Sequence, residues 1–167
     1  MIRFLDQWFI DRREMTNMKY DHPEIIDPAL EVIKKTDPDL YAAMVASDWH
    51  VHMVTELVQD DMRLDDGEGG ELDVLRDNPD AEAMTDMVLS GKPTDIYLPR
   101  LRDHVSDYQA PLEHIVATDL VHEFKHHHGY YERDAYLASG VFAAKLGDAK
   151  LERNSELGFM QSVFQGQ

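Results

Sequence analysis

Residues 111 to 147 hold two stretches whose apolar side chains recur at three and four residues, PLEHIVATDLVHEFKHHH and YERDAYLASGVFAAKLG, with Gly129 between them. That spacing gathers Ile115, Leu120, Val121 and Phe124 onto the apolar surface of one helix. Glycine enters the left-handed backbone conformation that ends a helix and turns the chain sharply. Two consecutive helices joined at Gly129, the second stopping near Gly147, are therefore the tightest constraint on the fold.

Helical spacing also dominates the rest of the chain. The expected class is mainly α: a single compact helical domain over residues 1–167, with one short strand or small sheet, an α+β arrangement being the alternative. Residues 2 to 18 place Ile2, Leu5, Trp8, Phe9 and Met15 on a broad stripe, an amphipathic helix that packs on the body or on a protein assembly partner. Pro28 and Pro38 suit the first turns of helices beginning near Ala29 and Asp39, the second running to about Met62. Residues 1–64 thus read as a helical N-terminal half. An acidic, glycine-rich loop follows at 65–71, inside RLDDGEGGELD. Beyond it come a short helix near residues 79 to 90 and TDIYLPRL, the only segment with strand character.

Charge and composition exclude several classes of function. The chain carries 33 Asp plus Glu against 16 Lys plus Arg, a formal charge of −17. Such a surface repels nucleic acid backbones and anionic membranes, and no local basic patch reverses it. No apolar run reaches the roughly 18 residues that span a bilayer. Charges interrupt MIRFLDQWFIDRRE where a signal peptide needs an apolar core, so the expected location is the cytoplasm or the interior of a virus particle. Asp outnumbers Glu, Arg outnumbers Lys, and the acids are spread along the chain. This resembles the surface of a protein from a halophilic archaeon or its virus, where salt screens the self-repulsion.

With no cysteine, a transition metal must be held by imidazole and carboxylate. His122-Glu123-Phe124-Lys125-His126 has the HExxH pattern. On a helix the two histidines share a face and reach one cation, while Glu123 sits beside the first ligand, placed to act on a water there. Zinc suits neutral imidazole and lowers the pKa of bound water to about 7, within reach of Glu123 as general base. Glu132 is the candidate third ligand, because the turn at Gly129 returns the next helix toward the first.

HEFKHHHGYYE and the helix after it resemble the zincin metallopeptidases over about residues 111–147. By spacing the stretch is similar to the metzincin motif HExxHxxGxxH, with Glu132 at the last position and Met160 in LGFMQS the weak counterpart of the Met-turn. YERDAYLASGVFAAKLG looks instead like the second helix of a small gluzincin, opened by a glutamate and followed by a small residue, here Ala135, that lets the helices approach. The gluzincin-like reading is preferred. Either resemblance implies His122, His126 and Glu132 as ligands, Glu123 as catalytic base, a peptide or protein substrate, and an edge strand to align it, for which only TDIYLPR is available. Tyr130, Tyr131 or Tyr136 would then face a tetrahedral oxyanion, and Asp134 or Asp119 would orient a ligand imidazole.

The other histidines carry less. His127 and His128 point roughly 100° and 200° away from His122 and His126, toward solvent or a helix cap. His50 and His52 are two apart; a shared metal would need a strand there, and LYAAMVASDWHVHMVTELV reads as helix. His22, His104 and His114 form no pattern. The sequence thus points to a zinc metallopeptidase-like hydrolase. Its rival is a structural or interaction protein, for example a virion component, with a vestigial or structural metal site.

Overall fold

A computed structural model describes residues 16–54, 63–65, 71–73, 84–85, 95–99 and 110–166. The described residues are mainly helical, with strands β1 (Lys19–Tyr20), β2 (His50–Val54), β3 (Arg63–Asp65), β4 (Glu71–Asp73), β5 (Met84–Thr85) and β6 (Asp95–Pro99). The helices are α1 (Pro23–Thr36), α2 (Pro38–Ala46), α3 (Leu112–His127), α4 (Glu132–Leu146) and α5 (Ala149–Gln165). The expected amphipathic helix at residues 2 to 18 lies outside the described residues, apart from its last positions.

The N-terminal half is less helical than its apolar spacing implies. Helix α1 starts at Pro23, so Pro28 is carried inside it and does not open it. Its buried face is Ile26, Ala29, Leu30 and Ile33, one apolar stripe at helical spacing. Pro38 opens α2 as expected, and the Asp37 side chain accepts the Leu40 N–H at 3.1 Å as its N-cap. That helix does not run to Met62: it ends at Ala46, Ser47 turns extended, and β2 begins at His50. Trp49 is fully buried and its indole donates to the Met44 carbonyl at 2.9 Å, fixing the chain reversal.

Four strands form one sheet in the order β1-β2-β6-β5. β1, β2 and β6 are parallel, with His50 aligned to Lys19 on one side and Asp95 on the other; β5 runs antiparallel to β6. The strand expected in TDIYLPRL is therefore present, but it is interior, and β1 and β5 are the outer strands among the described residues. Met84–Thr85 is a strand where a helix near 79 to 90 is expected. The acidic loop is flanked by the antiparallel pair β3 and β4, and residues 66–70 lie outside the described residues.

Val51 and Ile96, both fully buried, join one core with Ile26, Ile33 and Met44 from the N-terminal helices and Leu120 and Phe124 from α3. α3 thus lies between the sheet side of the core and α4. α4 and α5 pack as a helical hairpin whose contact surface is small and polar, with Ser139 donating to Ser155 at 3.0 Å. At the far end His114 of α3 contacts Asp148, the N-cap of α5, at 3.1 Å. None of the described helices is long and apolar enough to cross a membrane.

Candidate metal centre

The site is made by the end of one helix and the start of the next. α3 ends with the Tyr130 N–H on the Lys125 carbonyl at 3.1 Å and the Gly129 N–H on the His126 carbonyl at 2.8 Å, while Gly129 sits at φ +83°. This is the Schellman arrangement, which an L side chain at position 129 would strain. The turn lets Glu132 open α4 directly beside the last turn of α3. A carboxylate at a helix N-terminus is also favoured by the helix dipole.

Three side chains converge there. The Glu132 carboxylate spans both imidazoles: Oε2 lies 3.2 Å from Nε2 of His122, and Oε1 lies 3.2 Å from Nε2 of His126. The two Nε2 atoms are themselves 3.2 Å apart. Tetrahedral zinc with bonds of about 2.0–2.1 Å requires ligand atoms roughly 3.3 Å from one another. The donor set and its spacing therefore fit a small divalent ion, and His122, His126 and Glu132 are a group that could hold one.

The surroundings orient these donors. Nδ1 of His126 donates to the Tyr130 carbonyl at 2.9 Å, which leaves Nε2 facing the cluster. The His122 ring meets the Tyr136 ring edge-on, with centroids 4.5 Å apart. Burial opposes charge on His126, but Glu132, Glu123 and the Tyr130 carbonyl outweigh it and raise its pKa to about 9. Burial alone would also raise the Glu132 carboxyl, yet hydrogen bonds from His122 and His126 hold it well below the usual carboxylate range. The arrangement favours one shared positive charge, supplied by a proton or by a metal ion.

The other candidates divide. Glu123 is only 3% exposed, and its charge acts on His126. Tyr136 touches the His122 ring. Tyr130 contributes its backbone carbonyl, while its exposed ring lies over the Lys125 ammonium. Tyr131 is the N-cap residue of α4 and is exposed. Asp134 lines a groove of about 340 Å³ between α3 and α4 with Lys125, Tyr130 and Leu137; none of the three cluster residues lines it. Ala135 is fully buried, as a close approach of the two helices requires.

Two expectations change, and one holds. His127 does not face solvent: it is buried and stacked near Trp49, with ring centroids 5.8 Å apart, because it falls on the core side of α3. His128 does cap the helix end, through Nδ1 and the Phe124 carbonyl at 3.0 Å. Met160 lies within α5, so it forms no Met-turn.

Two contributors escape sequence reasoning. The Tyr130 carbonyl has no residue-type signal, since any residue supplies one. Gly158 does have one, being a glycine inside a helix: a β-carbon there would stand 2.3 Å from the Tyr136 ring. No family model matches the chain, no curated protein is similar to it, and no solved structure matches its fold.

Proposed function

We propose that the chain is a zinc-dependent hydrolase of the HExxH type acting on peptide bonds. The observation that carries the reading is the convergence of His122 Nε2, His126 Nε2 and the Glu132 carboxylate at mutual distances of 3.2 Å. His122, His126 and Glu132 would hold the zinc, which would supply Lewis-acid chemistry, lowering the pKa of a water to about 7 and polarising a carbonyl. Glu123 is the general base: its carboxylate accepts a proton from the attacking water and delivers it to the nitrogen of the departing amine. His126 is kept in the ligand orientation by the Tyr130 carbonyl, and His122 by the Tyr136 ring. Strand β5, outermost in the sheet among the described residues, lies against α3, which supports a substrate segment aligned by backbone pairing along that edge.

Metal analysis of protein prepared without added zinc is the first test, with zinc retained by the wild type and its content lowered by one equivalent per chain in H122A/H126A. Glu123→Gln is expected to abolish hydrolysis of a peptide library and leave the zinc in place. Absence of zinc from the wild type ends the proposal.

A second reading is favoured by the burial of Glu123, which shields a base from bulk water. In it the cluster is a structural metal site in an interaction protein, such as a component of a virus particle from a halophile. Chelation then lowers the melting temperature and no variant shows hydrolysis to lose; an open catalytic site instead binds hydroxamates.

A further inference from the structure

We infer that Asp21, His50 and His52 form a second transition-metal site, on the sheet and separate from the cluster between α3 and α4. The strand β2 makes it. Side chains on a strand alternate between its faces, so burial of Val51 in the core sends His50 and His52 together to the opposite face. Their rings lie one over the other, with centroids 3.8 Å apart. The parallel neighbour β1 supplies the third group. Asp21 follows that strand directly, and its N–H continues the ladder to the Val51 carbonyl at 3.1 Å, which fixes its position beside the two histidines.

The carboxylate is shared between the rings. Oδ1 of Asp21 lies 3.4 Å from Nε2 of His50, and Oδ2 lies 3.4 Å from Nδ1 of His52. One ligand atom from each residue lies within 4.8 Å of the others. The two 3.4 Å separations from the Asp21 carboxylate are close to the roughly 3.3 Å between ligand atoms around a tetrahedral ion with bonds of about 2.0–2.1 Å.

Two imidazoles and one carboxylate select the ion class. Calcium and magnesium take oxygen ligands, whereas imidazole suits zinc, copper, nickel and cobalt. The side chains keep 35% of His50, 25% of His52 and 50% of Asp21 exposed, so the ion is reached from outside and retains solvent on its open position. An ion there joins Asp21, the residue just after β1, to β2, closing the β1–α1 corner with a cross-link between segments 29 residues apart in sequence.

The test is zinc stoichiometry and affinity on the full chain, stripped with chelator and titrated with zinc chloride. H122A/H126A is expected to bind one zinc, and addition of H50A/H52A is expected to remove it. In the H122A/H126A background, Asp21→Asn keeps the shape and is expected to weaken binding by at least roughly tenfold, the loss typical even of outer partners of a metal site. Zinc should also shift the ring resonances of His50 and His52 in that background. If the wild type and H122A/H126A bind the same single zinc, this site stands and the proposal for the α3–α4 cluster falls. Equal zinc binding with and without H50A/H52A in a folded H122A/H126A protein, judged by circular dichroism, overturns the inference, as does unchanged affinity in Asp21→Asn.

Discussion

The ring of Tyr136 occupies the space where a side chain on Gly158 would stand, and it is the same ring that meets His122 edge-on. The α4–α5 hairpin is thereby coupled to a ligand of the candidate metal centre. Residues Ser155, Gly158 and Ser162 are all buried, which shows how closely the two helices approach.

Gly158→Ala tests that coupling. In a free helix the change is favourable by up to about 1 kcal/mol. Here the new methyl would overlap the ring carbons at 2.3 to 2.5 Å, so either the ring or a helix has to move. Overpacking of this kind costs about 1–3 kcal/mol, and the steric cost outweighs the propensity gain. The expected outcome is a lower melting temperature, by roughly 2–4 °C for each kcal/mol in a chain of this size. Zinc affinity should weaken along with it, because Tyr136 no longer supports His122. An unchanged affinity would separate the hairpin from the site.

Gly129→Ala isolates the turn. No atom lies within 4 Å of a β-carbon built there, so the substitution causes no clash and its cost is conformational. Holding a non-glycine residue at φ +83° costs about 1–2 kcal/mol. Asn tolerates that conformation better, so Gly129→Asn should be the milder change in thermal unfolding. Zinc affinity should follow the same order, because the turn sets where Glu132 begins α4.

Asp37 joins three elements: it closes α1, caps α2 and takes the ammonium of Lys145 from α4. Asp37→Ala is expected to destabilise by about 1 kcal/mol through loss of the cap, and Asp37→Asn by less, since the amide still caps. The Lys145 hydrogen bond outweighs burial and lowers the Asp37 carboxyl below its ordinary value of 3.8. A folded-state pKa that is depressed stabilises above the unfolded value and is lost as pH falls through the folded one. The wild type should therefore exceed D37N in stability near neutral pH, and the two denaturation curves should merge well below pH 3.8.

The unit from α3 through Gly129 to α4 is legible in the sequence because everything that defines it is local. His122 and His126 are four apart, the glycine is adjacent, and Glu132 opens the next helix. Strand β2 is far less legible. Trp49 and Val51 alternate with His50 and His52, but this short period-two signal lies inside an apolar stretch that also fits a helix. What decides it is tertiary: Trp49 and Val51 are buried, and the pairing partners lie about 30 residues upstream and 45 downstream. The same limit hid the pairing of the His50 and His52 rings on one face, which depends on the strand. Packing of Gly158 on Tyr136 is likewise a contact between helices.

Glu132→Gln separates charge from shape at the candidate metal centre. The amide fills the same volume and retains one oxygen, so the α3–α4 packing and the buried Ala135 beside it should persist. It cannot present two anionic oxygens to His122 and His126 as Glu132 does. Zinc affinity should therefore fall by at least roughly tenfold, measured by competition with a chelating dye. Without metal, loss of a first-turn carboxylate removes about 0.3–1 kcal/mol of interaction with the α4 dipole, together with the hydrogen bonds to both imidazoles. The variant should melt lower than the wild type both with and without zinc, with the larger gap in zinc, because only there is the ligand also lost. Equal gaps in the two conditions would mean that Glu132 holds the helices together but does not bind the ion.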